Sequence, residues 1–425
     1  MDLTTQKSTL NGTVDIPGSK SHTIRSVAIA ALANGNSHIR GPLDSSDTQS
    51  AVEAYRALGA KIDQRVDGWH VTGQCGKLTA PDHTIDVGNS GTTIRIALGS
   101  CALMTEGEVT LTGDKQIQRR PAKPLARSLK DLGATVVDIN NTGCPPFSVK
   151  GPIQGGETTI ECKTSQYLSS LLMCCPLAQN DTLIKVPLLN ETPYVGITLD
   201  WLNRQGIKLD YESDYSEFRV PGRQSYTPVN RLIPADFSSA TFFLAAGALP
   251  GNQVTSSGLD YSDTQGDKAV VEYLKALGAN VTLVEQSIHV TADTLQGCEI
   301  DMNATPDALP MMAVLACFVS GETRLVNVPQ ARMKETDRIA VMCQELTKIG
   351  ADIEELSDGL IIRQSNLRSS SVQGHGDHRV IMSLAIAGTQ IDGGVHIQDA
   401  DAMSVTYPTF AQDLQSIGGQ VTIHD

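Results

Sequence analysis

Ala57-Leu58-Gly59-Ala60-Lys61-Ile62 compresses a helix end, a glycine and a strand start into six residues. The pattern returns as Asp131-Leu132-Gly133-Ala134-Thr135-Val136, Arg204-Gln205-Gly206-Ile207-Lys208-Leu209 and Ala276-Leu277-Gly278-Ala279-Asn280-Val281. Lys348-Ile349-Gly350-Ala351-Asp352-Ile353 and Ser416-Ile417-Gly418-Gly419-Gln420-Val421 complete the set. The glycines are spaced 74, 73, 72, 72 and 68 residues apart, so the chain is a tandem array of one folding unit. Whole words recur between the halves: Ser46-Asp47-Thr48-Gln49 as Ser262-Asp263-Thr264-Gln265, and His70-Val71-Thr72 as His289-Val290-Thr291. Residues that break the repeat can therefore be separated from those that build it.

Each unit opens with an apolar stretch of helical length: Val27–Ala33, Ile94–Met104, Tyr167–Ala178, Ala240–Ala248, Ala308–Val319 and Val380–Ala387. These are too long for strands and apolar all round, which predicts buried helices. A second, amphipathic helix follows, as in Ala51–Leu58, Pro124–Leu132 and Lys268–Leu277, and ends at the repeat glycine in a left-handed cap. Alternating strands come next: Lys61–Gln64 with Trp69–Thr72, Thr135–Asp138 with Phe147–Lys150, and Asn280–Val284 with Ile288–Thr291. The predicted unit is strand-helix-strand-helix-strand-strand, with helices inside and sheets outside. Segments Pro17–Ser19 and Pro228–Asp236 flank three units, predicting one lobe of residues 19–233 and another of 1–18 with 234–425. The strand Gly12–Ile16 is expected to complete the last unit of the second lobe.

The 425 residues are 40 % hydrophobic, ample for two or three domains. A net charge of −14 argues against nonspecific nucleic-acid binding, so a site for an anion must concentrate positive charge locally. The N-terminus lacks a signal-peptide pattern, and no apolar run approaches the roughly 20 residues of a membrane span. A cytoplasmic monomer is expected. The nine cysteines form no C-x-x-C pair, and no histidine sits at zinc spacing. Cys101, Cys174, Cys175, Cys317 and Cys343 lie in apolar runs and read as buried thiols.

Polar residues cluster before the buried helices: Gly18-Ser19-Lys20-Ser21, Gly88-Asn89-Ser90-Gly91-Thr92, Thr164-Ser165-Gln166, Pro306-Asp307 and Gly376-Asp377-His378-Arg379. A second set precedes the amphipathic helices: Arg119-Arg120-Pro121, Pro193-Tyr194 and Arg332–Arg338. Serines and threonines here also suit ordinary N-caps. Lys20, Arg25, Arg120, Lys334, Arg338 and Arg379 need another reason, because basic residues oppose the dipole at a helix start. If pseudo-symmetry turns the helix starts toward one interlobe cleft, that cleft binds a multiply phosphorylated or carboxylated ligand. Asp307 and Glu335 amid these cations suit acid–base chemistry, such as adding an alcohol to an electron-poor double bond, with His378 able to assist. His70 and His289, at equivalent strand positions, read as structural. Gly-Ser-Lys-Ser lacks the G-x-x-x-x-G-K spacing of a P-loop, so nucleotide binding is not indicated.

Together, PGSKS-x-x-x-R at 17–25, GNSGTT at 88–93, RRP at 119–121, TSQ at 164–166, PD at 306–307, KETDR at 334–338 and DHR at 377–379 resemble the 3-phosphoshikimate 1-carboxyvinyltransferases, or EPSP synthases. The resemblance spans nearly the whole chain in order. It implies a two-lobed inside-out α/β barrel of six βαβαββ units, three per lobe, without metal or cofactor. It further implies transfer of the enolpyruvyl group of phosphoenolpyruvate to the 5-hydroxyl of shikimate 3-phosphate, with release of phosphate, as the lobes close on both ligands. Lys20 would contact both substrates. Ser21, Arg25, Thr164, Ser165, Gln166, Asp307, Gln330 and Lys334 would hold shikimate 3-phosphate, with Tyr194 nearby. Asn89, Gly91, Arg120, Gln166, Arg338, His378 and Arg379 would surround phosphoenolpyruvate. Asp307 would be the base for the attacking hydroxyl, and Glu335 would handle the proton at the methylene carbon.

Three positions depart from the pattern. Val405 stands where a lysine often meets phosphoenolpyruvate, Glu191 where a serine often meets the shikimate phosphate, and Gln330 where an asparagine is common. Gly91 leaves room for the inhibitor glyphosate. A sister enzyme acting on UDP-N-acetylglucosamine is the nearest rival. It carries a reactive cysteine in the loop matching Gly113–Pro121, which has none here, and Lys-Asn in place of Lys20-Ser21. A noncatalytic anion-binding repeat scaffold is the rival of another class.

Overall fold

The computed structural model describes residues 1–424. Among them twelve α-helices alternate between two kinds. The six buried ones are α1 (Lys20–Leu32), α3 (Gly91–Cys101), α5 (Gln166–Cys174), α7 (Phe237–Gly247), α9 (Leu309–Ala316) and α11 (His378–Gly388). The six amphipathic ones are α2 (Ser46–Ala57), α4 (Lys123–Asp131), α6 (Thr192–Arg204), α8 (Val270–Ala276), α10 (Arg338–Lys348) and α12 (Phe410–Ser416). Every residue of α3, α7, α9 and α11 is buried, as the apolar runs predict. No described helix is long and apolar enough to cross a membrane.

The repeat glycines act through one device. Gly59, Gly133, Gly206, Gly278, Gly350 and Gly418 all have φ between +71° and +103°. In each case the glycine N–H donates back three residues, as Gly59 does to the Arg56 carbonyl. The following N–H donates back five, as Ala60 does to Tyr55 at 3.0 Å. This Schellman pairing satisfies the last helix carbonyls and turns the chain straight into a strand, at a φ that only glycine adopts without strain.

Among the described residues, six four-stranded sheets share one pattern, a parallel pair followed by two antiparallel pairings, and in four of the six the parallel pair is joined through a buried helix. Two compact units result, Met1–Pro17 with Pro234–Asp425, and Gly18–Ile233, each with its own apolar core. In the second unit α3 packs on α1 and α5; in the first, α9 packs on α7 and α11.

The chain ends are stitched differently from the sequence expectation. The strand Asn11–Asp15 pairs in parallel with Gln253–Ser257, in the first sheet of its unit and not the last. The last sheet is completed by Asp2–Gln6, which lies between Val395–Gln398 and Gln420–His424. The physical reason is positional. Asn11–Asp15 leads directly into a buried helix and so takes a first-strand place, whereas the single strand Gln420–His424 after α12 leaves the last sheet in need of another. Asp2–Gln6 also alternates correctly, burying Leu3 and Thr5. Reciprocally, Asn230–Leu232, which leads into α7, pairs with Asn36–Arg40 after α1.

Of the five cysteines read as buried, Cys101, Cys174, Cys175 and Cys317 are so, while Cys343 on amphipathic α10 is only half-buried. Burial raises the Cys101 and Cys317 thiols to about 12, which keeps them protonated and inert.

Gly388 ends α11 where the strand Asp2–Gln6 crosses it, and a Cβ there would lie 1.9 Å from Thr5 Oγ1. Gly388→Val should overpack this crossing and cost about 2 kcal/mol or more, read as a lower urea midpoint at unchanged slope. A midpoint equal to that of the wild type would contradict the packing.

Candidate active site

In the unit Gly18–Ile233, the polar residues gather at the starts of α1, α3 and α5. Ser19 caps α1 and Ser90 caps α3 through their hydroxyls, so the capping reading holds for both. The cations beside them do other work. Lys20 is nearly buried and pairs with Asp47 at 2.9 Å, the acidic residue in the first turn of α2. Arg25 is buried and donates to neutral acceptors only: Thr198 Oγ1 at 2.9 Å, the Ser21 carbonyl at 3.0 Å, and Ser169 Oγ and the Tyr194 carbonyl at 3.2 Å. Burial lowers its guanidinium to about 10. A buried cation without a carboxylate is costly unless an anion arrives or several dipoles converge on it.

Close packing of α3 on α5 aligns their starts. A Cβ on Gly99 would lie 2.4 Å from Ser170 Oγ, so the helices meet with almost no side chain between them. Ser170 then donates to the Arg95 carbonyl at 2.6 Å. This brings Gln166, first residue of α5, against α3, where its amide donates to Thr92 Oγ1 at 3.1 Å and accepts from Arg95. Arg95 also reaches the Gly91 and Pro121 carbonyls, at 3.3 and 3.2 Å, and lies over the Tyr167 ring. Arg95 belongs to none of the polar motifs, and its signal in the sequence is that of one charge inside the apolar run Ile94–Met104. Asn89 is fixed by the loop after the next strand, donating to Asp114 at 2.7 Å and Gln116 at 2.8 Å. Gly91 begins α3, and a Cβ there would come 2.6–2.7 Å from the Arg120 guanidinium. The missing side chain is what lets Arg120 lie over the start of α3.

Glu191 occupies the start of α5. Its buried carboxylate accepts from Ser165 Oγ at 2.9 Å, Thr164 Oγ1 at 3.0 Å and the Ser165 N–H at 3.2 Å. Its backbone is left-handed, φ 57°, and immediately precedes α6. The hydroxyls of Thr164 and Ser165 thus already hold one anionic group, supplied by the chain.

The unit containing both chain ends has a denser cluster. Arg338, first residue of α10 and buried, makes a two-pronged contact with Asp377 at 2.8 and 3.2 Å. It also donates to Asp307 at 2.8 Å and Glu335 at 2.6 Å. Arg379 meets the other Asp307 oxygen at 3.2 Å, and Lys334 lies 3.6 Å from Asp307. The run Arg332–Arg338 is not helical up to this point: a 3-10 turn spans Pro329–Met333 and α10 begins only at Arg338. Lys334 and Arg338 are therefore not a repelling helical pair, because Asp307 bridges them. Arg332 belongs to the structure instead, paired with Asp337 at 2.7 Å and Glu355 at 2.8 Å. Gln330 is buried and donates to the Asn303 carbonyl at 2.8 Å, and His378 is buried beside Arg379 at the start of α11. Burial pushes Arg338 down, but attraction to Asp377, Glu335 and Asp307 pushes it up by more. Burial likewise raises the Asp377 carboxyl, and Arg338 draws it below its ordinary value.

Two sets of sequence-predicted residues are thus gathered, one in each unit: Lys20, Ser21, Arg25, Asn89, Gly91, Arg120, Thr164, Ser165, Gln166 and Tyr194 in one, and Asp307, Gln330, Lys334, Glu335, Arg338, His378 and Arg379 in the other. The model of EPSP synthase (3-phosphoshikimate 1-carboxyvinyltransferase) matches residues 4–414. The chain belongs to the EPSP synthase family. It is 49 % identical over 423 residues to the 3-phosphoshikimate 1-carboxyvinyltransferase of Ruminiclostridium cellulolyticum, covering 100 % of both chains. It is 50 % identical to that of Acetivibrio thermocellus, covering 99 % of both. The solved EPSP synthase of Acinetobacter baumannii superposes with a TM-score of 0.84 at 26 % identity, over 100 % of this chain and 99 % of that one.

Asp377→Asn would remove one of the three carboxylates around buried Arg338 and should destabilise the protein by about 1.5–3 kcal/mol. The folded carboxyl titrates below its unfolded value of about 3.9, so its contribution is complete above that value. It is lost as pH falls through the depressed folded value. Urea midpoints of wild type and variant should therefore differ by a constant amount above about pH 5 and converge in stronger acid. A gap independent of pH down to acid unfolding would contradict the ion pair.

Proposed function

We propose that the two clusters act on one substrate pair and perform the family's reaction by addition and elimination. The enzyme transfers the enolpyruvyl group of phosphoenolpyruvate to the 5-hydroxyl of shikimate 3-phosphate, a step of the shikimate pathway, and releases inorganic phosphate. The hydroxyl oxygen adds to C2 of phosphoenolpyruvate while Asp307 takes its proton and C3 gains one through Glu335. The tetrahedral adduct then loses a C3 proton and expels phosphate, so atoms and charge balance.

The observation that supports these roles most is the single guanidinium of Arg338 shared by Asp307 and Glu335. Asp307 and Glu335 are held by one buried cation, so each can exchange a proton with a different atom of the substrates, Asp307 entering as the base and Glu335 bringing the proton that reaches C3. Arg338 and Arg379 would receive an anionic group of phosphoenolpyruvate, with Asn89, Gly91, Arg120, Gln166 and His378. As that group arrives it competes with Asp307 for both arginines, which frees the base when the reactant is present. Lys20 would contact both substrates, while Ser21, Arg25, Thr164, Ser165, Gln166, Tyr194, Gln330 and Lys334 hold shikimate 3-phosphate. Here Glu191 must yield, because Thr164 and Ser165 cannot serve its carboxylate and a phosphate together. Preorganised cations of this kind stabilise the charge that develops on the adduct and the leaving phosphate.

Phosphate release from phosphoenolpyruvate should require shikimate 3-phosphate. No release with that acceptor, or release only with UDP-N-acetylglucosamine, would overturn the reading. Asp307→Ala should lower kcat by about 10² or more while substrate dissociation constants stay within a few-fold. Unchanged turnover would remove its role.

A further inference from the structure

The two halves of the repeat share the word His-Val-Thr, and in one half the shared histidine has only a structural partner. His289 lies opposite Thr255 on the neighbouring strand, with its Nδ1 2.9 Å from Thr255 Oγ1, and Gln286 stands three residues before it. In the other half, Thr255 is replaced by His38 and Gln286 by Asp67. The substitutions convert a hydrogen-bonded pair into a set of three metal-type donors.

His38 and His70 are direct cross-strand partners in the antiparallel pairing of Asn36–Arg40 with Gly68–Thr72. Their rings stack at 4.3 Å between centroids and 16° between planes. Asp67 sits in the tight turn just before the second strand. Its carboxylate oxygens are both 3.2 Å from His70 Nε2, and one is 3.6 Å from His38 Nε2. One ligand atom from each of the three residues lies within 4.8 Å of the others. Two donors bound to a tetrahedral zinc ion at about 2.0–2.2 Å are separated by about 3.3 Å, so small ring rotations close the set around one ion. Gly68 permits the approach: a Cβ there would lie 2.3 Å from the Ile39 carbonyl and 3.1 Å from His38 Nε2.

We propose that His38, Asp67 and His70 form a surface binding site for a single Zn²⁺ ion. Two imidazoles and one carboxylate are the donor set of a borderline divalent ion, not of Mg²⁺ or Ca²⁺, which need more oxygens. The ion is held by His38 Nε2, His70 Nε2 and an Asp67 oxygen, with water in the fourth position. Both histidines bind as neutral rings protonated at Nδ1, and His38 gives up its 3.0 Å contact with the Asp67 carbonyl. The ion would clip together two strands and their turn. None of the three residues belongs to the catalytic clusters, so the site is a structural clip that leaves turnover unaltered.

The test is calorimetric titration of Zn²⁺ alone into the chelator-stripped full chain, with the thermal midpoint measured in parallel. Wild type should bind one equivalent that raises the midpoint. His38→Thr and Asp67→Gln, which copy the residues of the second half, should fold normally, keep full turnover and lose that equivalent, as should His70→Ala. His289→Ala should keep it. Wild type binding no equivalent, or an equivalent that survives both His38→Thr and Asp67→Gln, would overturn the proposal.

Discussion

A helix surrounded on every side by apolar neighbours can meet a polar ligand only at its ends. That constraint governs this chain, because its buried helices are sealed into the two cores. Their flanks are spent on packing, down to glycine against serine between α3 and α5. What remains is the first turn, with N–H groups that have no partner within the helix. Serine and aspartate caps satisfy part of that demand, and the residues left over at each start differ from unit to unit. A symmetric frame thereby presents an asymmetric set of charges.

The charges do not wait uncompensated. Arg338 is held by three carboxylates, Lys20 by Asp47, and the hydroxyls of Thr164 and Ser165 by Glu191. Removing a guanidinium from water is tolerable only with such partners. In the proposed reaction substrate anions would take over some of these bonds. The energetic cost of binding is then one of exchange between anions, not of fresh desolvation. Arg25 differs, being buried against neutral dipoles among the described residues.

The sequence made local features legible because they are local. The six Schellman turns follow from a φ that glycine alone tolerates, and strands such as Thr135–Asp138, Phe147–Lys150 and Asn280–Val284 end where alternation ends. Pairings between distant segments were not legible. Asp2–Gln6 and Asn11–Asp15 are both short alternating strands, and nothing in their period says which of two sheets each completes. The motifs at the helix starts were readable, since each is contiguous. Arg95 and the His38–Asp67–His70 set were missed for opposite reasons. Arg95 is a single charge inside an otherwise apolar run, and the triad depends on register across strands.

On the proposed mechanism the charges at the helix starts, and not the repeat, receive the substrates. A crystal structure with phosphoenolpyruvate or an analogue and shikimate 3-phosphate tests it most directly. The anionic groups should lie on Lys20, Arg25, Arg120, Lys334, Arg338 and Arg379, with Thr164 and Ser165 turned from Glu191 to a phosphate and Asp307 within hydrogen-bond reach of the 5-hydroxyl. Substrates bound away from these residues, or Asp307 still locked to Arg338 and Arg379 with the hydroxyl out of reach, would contradict it.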